Sequence, residues 1–330
     1  MNEDSPAPVL IELTASVVTL VEETPMILAI SGPDGDALPS GPFRPRRHRT
    51  LALGLKSWVS EQTGLDLGYV EQLYTFGDRG RHAHPGDTDP HIVSIGYLAL
   101  ARHEDILDIP AGGTLWRSWY GFFPWEDWRE GRPAILDAYL LPALGSWLAD
   151  PSEPEPPGPD LTRLERFNLA FGEGGSPWDE DKVLDRYELL YEAGLVEEAR
   201  RDGRPAALRR VSLPPLGRAM FADHRRVLAT AIQRLRGKIR YRPVVFELLA
   251  EEFTLGRLQA SVEAILGRSL HKQNFRRLVD NTQLVEATGA MHSGGPGRPA
   301  ALFRFRRSVL QERPAPGLRL GRSGIRDPRG

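Results

Sequence analysis

Residues 254–306 read TLGRLQASVEAILGRSLHKQNFRRLVDNTQLVEATGAMHSGGPGRPAALFRFR. Thr254 supplies a hydroxyl where a helix N-cap needs one. Behind it Leu255, Leu258, Val262 and Ile265 recur at the helical period, and Gly267 ends the helix. A second helix, about Lys272 to Asp280, buries Phe275, Leu278 and Val279. Its opposite face presents Gln273, Arg276 and Arg277, with Lys272 on the flank and Asn274 on the other side. A strand Leu284–Thr288, the turn MHSGGPGRP and a strand Ala300–Arg306 follow. In the last strand Phe303 and Phe305 take one side, Arg304 and Arg306 the other. Helix, tight turn, basic helix and hairpin make a winged helix-turn-helix. The competing reading is a small α+β domain whose basic faces are merely solvated.

Charge extends the first reading outward. The net charge of −2 conceals +7 in residues 236–310, +3 in 311–330 and therefore −12 in 1–235. An acidic front and a basic back fit a sensor joined to a nucleic-acid reader; uneven solubilising charge fits as well. The expected organisation is a sensing domain over 1–235, a winged helix-turn-helix over 236–310 and a disordered basic tail over 311–330. In such a domain the second helix enters the major groove and the wing, with Arg298 and Arg304, touches backbone or minor groove. No run of eighteen apolar residues predicts a membrane span. Residues 1–8, MNEDSPAP, are expected to be disordered; they are acidic and lack a signal pattern, which predicts a cytoplasmic protein. The absence of cysteine excludes disulfides, thiolate metal sites and a cysteine nucleophile.

The front half alternates strand and helix. Strands are expected at Ala15–Val21, Met26–Ser31, Leu67–Phe76 and His91–Ala101, with a helix over Thr50–Gln62, giving a mixed α/β domain. The stretch Leu38–Arg81 resembles a Nudix box, whose working pattern is G-x5-E-x7-R-E-U-x-E-E-x-G-U with U bulky and apolar. Val59, Glu61, Gly64 and Leu65 fit its end. The R-E falls on Ser57 and Trp58, the final E-E on Glu61 and Gln62, and the upstream Glu on Arg49. One carboxylate of four survives, and a lone carboxylate beside an arginine is a poor cage for Mg²⁺. The resemblance therefore implies an α/β/α sandwich kept for binding, with no catalytic residue, metal or cofactor. The alternative is a Mg²⁺-dependent ADP-ribose or nucleotide pyrophosphatase using other ligands.

Between two strands, the loop Gly77–Pro90 places Arg79 and Arg81 beside Asp78, just after Phe76. Arginine forks beside an aromatic suit a nucleotide phosphate, though a solvated loop reads the same way. His82, His84 and His91 with Asp87 and Asp89 have metal-ligand chemistry but sit in a loop that reads as unspecific. Gly112–Trp128 packs four Trp, one Tyr and two Phe into one run, read as core and dimer surface rather than as a ligand pocket. A helical insertion is expected at about 126–215, with a Pro- and acid-rich spacer at Asp150–Asp160 and a helix over Asp179–Arg200. The echo between Gly194–Leu208 and Leu284–Leu302 could mark a second wing-like hairpin, and reads rather as chance.

The combination resembles the Nudix-related transcriptional regulators, the NrtR-like proteins. At the front the resemblance rests on EQTGL, YVEQLYTFGDRGR and HIVSIGYLAL. At the back it rests on DHRRVLATAIQRLRGKIRYRPVVFELLAEEFTLGRLQ, HKQNFRRLV and GRPAALFRF. The insertion is more like the longer NadQ-type repressors of NAD-synthesis genes. The resemblance implies a homodimeric repressor on a palindromic operator in double-stranded DNA, with NAD, ADP-ribose or ATP as effector and no membrane partner. Carried over, Phe76, Asp78 and Arg79 would contact effector, and Lys272, Asn274, Arg276 and Arg298 operator. Arg81 and the surviving Glu61 complete the candidate effector set; Gln273, Arg277 and Arg304 complete the candidate DNA set.

Overall fold

The computed structural model describes residues 9–32, 35–78, 90–106, 114–153, 161–292, 299–312, 317–318 and 320–321. Strand β1 (Val9–Val21) is the spine of the N-terminal sheet. Alternate residues serve opposite faces, so Leu13, Ala15 and Val17 point to one core and Val18 and Leu20 to the other. Strands β2 (Thr24–Gly32), β3 (Gly35–Ala37), β4 (Ser40–Pro42), β5 (Tyr69–Phe76), β6 (His91–Leu100) and β7 (Thr114–Ser118) complete a seven-stranded mixed sheet. Its main path runs β3-β2-β1-β6-β5; β1 and β6 pair in parallel, and β4 and β7 join β1 and β2.

Helix α1 (Leu51–Thr63) covers one face through Leu55 and Val59. Thr50 accepts the Leu53 amide at 3.2 Å at its start, and Gly64 ends it at φ 74°. Helix α7 (His224–Ile239) covers the other face. It approaches closely because Gly96 has no side chain: a Cβ there would lie 3.0 Å from Val227 and from the Phe76 ring. Helices on both faces make this the α/β/α sandwich expected.

Between sheet and α7 the chain runs through a helical turn Leu136–Leu140, α2 (Leu141–Leu148), α3 (Arg163–Phe171), α4 (Val183–Glu192), α5 (Glu197–Arg201) and α6 (Pro205–Leu208). The helix expected over Asp179–Arg200 is broken. Gly194 turns left-handed at φ 63°, and its backbone packs so tightly on Ala207 that a Cβ would come within 2.2 Å. The echo segment thus forms short helices, not a hairpin. Trp119, Phe122, Phe123 and Trp125 are fully buried, so this part of the aromatic run is core.

After α7, a 3-10 turn Val244–Glu247 leads into β8 (Glu252–Thr254), α8 (Leu255–Leu266), α9 (Lys272–Thr282), β9 (Val285–His292), β10 (Ala300–Phe305) and α10 (Val309–Glu312). Its sheet has the order β8-β10-β9, which is a winged helix-turn-helix. The expected boundary at 235/236 falls inside α7. The tail departs from the expectation of disorder where it is described: Leu318 is fully buried and its amide reaches Ile239 O at 3.4 Å. Apolar burial at Leu318 and Leu320 ties this end to the C-terminus of α7. The remaining tail residues, and the expected disorder of 1–8, lie outside the described residues.

One buried carboxylate joins the parts. Glu126, 2 % exposed, accepts Arg186 Nε at 2.6 Å and Nη2 at 2.9 Å, and Arg236 Nη1 at 2.6 Å. Burial pushes this carboxyl up, but the two guanidiniums outweigh it and hold it below the usual carboxylate range. Arg186 comes from α4 and Arg236 from α7, so Glu126 fastens these two helices to the aromatic segment. Removing its charge leaves two arginines buried without a counter-charge. Glu126→Gln is expected to cost about 3–5 kcal/mol in urea unfolding at neutral pH. Because the folded carboxyl titrates below its unfolded value, its contribution is complete above that unfolded value and is lost as pH falls through the folded one. The gap between variant and wild type should therefore close in acid.

Candidate functional site

Helix α9 carries the basic face. Thr254 Oγ1 accepts the Arg257 amide at 3.1 Å to start α8, and Gly267, at φ 69°, ends it. After four intervening residues α9 begins, burying Phe275, Val279 and Thr282. The opposite face leaves Lys272, Gln273, Asn274, Arg276 and Arg277 exposed. Lys272, Gln273, Arg276 and Arg277 form one contiguous stripe at helical spacing. Arg277 Nη2 donates to Asn274 Oδ1 at 3.2 Å, and no carboxylate pairs with Lys272 or Arg276 among the described residues. The first turn holds no acidic residue, so the positive end of the helix dipole stays uncompensated.

The wing is less available. Arg304 is exposed, but Glu286 accepts its Nε at 2.7 Å and Glu252 faces it across β8. A phosphate would compete with two carboxylates there. Arg298 lies outside the described residues. The net charge of the head also overstates its free charge: Arg236, Lys238, Arg240 and Arg268 are all ion-paired inward.

Of the predicted effector residues, Phe76 and Asp78 meet at Arg226, while Glu61 lies apart from them. Phe76 is buried on the α7 face, 4 % exposed, with the Arg226 guanidinium 5.2 Å from its ring centroid. Arg226 also pairs with Asp78, Glu188 and Asp223. Glu61 lies on α1, over the opposite face of the sheet, exposed and accepting Ser57 Oγ at 3.0 Å. Arg79, Arg81, His82, His84, Asp87 and Asp89 lie outside the described residues.

The degenerate box has become a staple. Gln62 donates to Ser40 O at 2.7 Å and accepts the Ser40 amide at 3.2 Å. Trp58 lies flat on Gly41, where a Cβ would come within 2.3 Å of its ring, and donates to Pro42 O at 3.0 Å. Side chains at two former carboxylate positions thus fix α1 to β4. Around them Arg44, Arg46, Arg47 and Arg49 are exposed, Arg44 stacking 5.1 Å from the Trp58 ring. This donor set does not fit a divalent cation, and no metal-binding cluster occurs among the described residues. On the other face, burial pushes the Glu12 carboxyl up despite a 3.1 Å hydrogen bond from Ser40 Oγ.

Sequence reading missed the docking of the head. Tyr120 OH donates to Ala264 O at 2.7 Å, Arg236 Nε to Ile265 O at 2.9 Å and the Trp128 amide to Gly267 O at 2.7 Å. The one available signal was a glutamate inside an aromatic run, Trp125-Glu126-Asp127-Trp128. A cleft of about 900 Å³ is lined by Arg102, Arg304, Arg306 and Arg307 and by Glu247, Glu251 and Glu286, so it offers both charge signs.

Residues 245–305 match the family model of the NrtR DNA-binding winged helix domain. A curated relative, the ADPR responsive transcriptional repressor NtrR of Acinetobacter baylyi, is 41 % identical over 83 residues. That stretch is 25 % of this chain, and the chain spans 33 % of the relative's length. The fold is that of Shewanella oneidensis NrtR solved with a 27mer DNA, at TM-score 0.53 and 18 % identity over 91 % of this chain and 95 % of that one. The same NrtR without DNA gives TM-score 0.53 at 19 % identity, with the same coverage. The C-terminal domain is a winged helix similar to that of NrtR, and the chain as a whole shares the NrtR fold.

Glu12 gives a test of the sheet's polar face. Its folded carboxyl titrates above the unfolded value, so the charged form weakens the fold as pH rises through that range. Glu12→Gln should unfold at a higher temperature than wild type at pH 7, and at the same temperature once both are neutral in acid. An equal or lower midpoint at pH 7 would contradict the direction of the shift.

Proposed function

We propose that this chain is a DNA-binding transcriptional repressor of NAD-metabolism genes, acting in the cytoplasm as a homodimer on a palindromic operator. The observation that carries the reading is the unpaired basic face of α9 in an NrtR-type winged helix. Lys272 and Arg276 are free to meet phosphates and base edges, and Gln273 and Asn274 have the amide geometry that reads adenine. Two-fold symmetry would place two such helices on successive turns of one groove face.

The N-terminal sandwich takes an NAD-related nucleotide and does not hydrolyse it. ADP-ribose is the first candidate, because the curated relative is ADPR responsive; NAD and ATP follow. The hydrolase alternative would need metal ligands other than the box positions, of which only Glu61 keeps a carboxylate, and Arg44, Arg46, Arg47 and Arg49 are exposed near the start of α1. Effector and operator couple through the different affinity of the nucleotide for two arrangements of the dimer.

Fluorescence anisotropy at one fixed salt concentration, with excess random duplex, tests this on the DNA upstream of its own gene. Competitor-resistant binding that ADP-ribose shifts is the expected result. Arg276→Ala should weaken specific binding by about 1–3 kcal/mol and leave nucleotide binding intact. Binding no tighter than to random DNA would sink the proposed target. Mg²⁺-dependent phosphate release that Glu61→Gln abolishes would sink the non-enzymic sensor.

A further inference from the structure

The last carbonyls of α8 have no partners within their own helix, as at any helix end. Here the sensor body supplies the donors: Tyr120 OH to Ala264, Arg236 Nε to Ile265 and the Trp128 amide to Gly267. A guanidinium at this end also meets the negative pole of the α8 dipole. The turn leading into α9 is fixed in the same way. Arg268 Nε donates to Glu180 Oε1 at 3.2 Å, and Ser269 Oγ donates to Arg129 O at 3.0 Å.

The body side is braced in turn. Arg129 is gripped by Asp127 through two bonds of 2.8 Å, and its Nη1 donates to Glu23 O at 2.9 Å in the β1–β2 hairpin. That hairpin holds Glu22 and Glu23 at φ 44° and 64°, a left-handed pair that non-glycine residues adopt only when their surroundings enforce it. At Gly267 a Cβ would lie 2.2 Å from Glu126 O, so the two backbones meet with no room between them.

We infer that the helix-turn-helix is a fixed extension of the sensor body, and that Arg129, Arg268 and Ser269 are positioning residues that set which half-site spacing the protein accepts. The spacing role rests on the DNA-reading function proposed above; the docking does not. Recognition helices on flexible linkers sample many separations, whereas docked ones present one. Half-sites of a two-fold dimer lie about 34–36 Å apart or at multiples of that distance. A docked pair of heads would therefore reject an operator lengthened by a few base pairs.

The test uses the full chain. It contains no cysteine, so Leu53→Cys on α1 and Asp280→Cys on α9, both exposed, take spin labels at two chosen points. The expected result is one narrow distance distribution, which broadens in Arg268→Ala/Ser269→Ala. Both substitutions remove contacts across the junction and leave Glu126 in place, so the fold survives them. On duplexes selected by the full chain from a random pool, half-sites are then moved apart one base pair at a time. Wild type should prefer one spacing by at least about tenfold. The double variant should lose that preference while binding a single half-site equally well.

A broad wild-type distribution would overturn the docking. A narrow one with a flat spacing profile would overturn the positioning role and leave the repressor reading standing. If no sequence-specific duplex emerges, the spacing role falls with the reading it rests on, and the labels still decide the docking.

Discussion

A single carboxylate buried between two arginines holds the domains in one body. Taking Glu126, Arg186 and Arg236 out of water is costly, and such groups repay it only when every donor finds a partner. Here they nearly all do. Arg186 also donates to Ala170 O and Asp179 O, and Arg236 to Glu180 O and Ile265 O. An apolar core of the same volume could match the stability. It could not complete backbone carbonyls from α3, from the chain that joins it to α4 and from α8 at the same time. The cluster specifies an arrangement more than it supplies energy.

The same economy explains the dismantled box. On the non-enzymic reading proposed above, α1 needs no carboxylates on its exposed face, and its side chains bind the neighbouring strand instead. Gln62 and Trp58 do so, each bonding backbone of β4. Isosteric loss of charge at Gln62 keeps a side chain of the same reach and adds a donor. The helix has become part of the frame, and the exposed Arg44 and Arg49 give this region the opposite charge from a metal site.

What could be read from the sequence follows the range of the interactions. Helices α8 and α9 were legible because their period, caps and stop lie within thirty residues. The sandwich was legible because β1, α1 and β6 each carry their own apolar pattern. The Glu126 cluster was not, since its partners lie 60 and 110 residues away. Arg236 then counted as surface charge of the reading head, although it is wholly buried. Glu61 stands apart from Phe76 for a related reason. Phe76 and Glu61 are close in sequence, but one belongs to a strand and the other to the helix on its far side, and sequence spacing does not say which face of a sheet a residue serves.

Helix α7 connects these two outcomes. Its sixteen residues reach about 24 Å, of which about 15 Å separate Arg226, beside Phe76 and Asp78, from Arg236 at the end of α8. A helix packed along its whole length responds to a displacement at one end by moving as a unit, because tightly packed interiors shift between discrete arrangements rather than deform smoothly. A ligand near the Phe76 end thus needs no contact with the head to influence it. On the regulator reading proposed above, it would need only to favour one seating of α7 over another, because the bond from Arg236 to Ile265 O ties that helix to the end of α8.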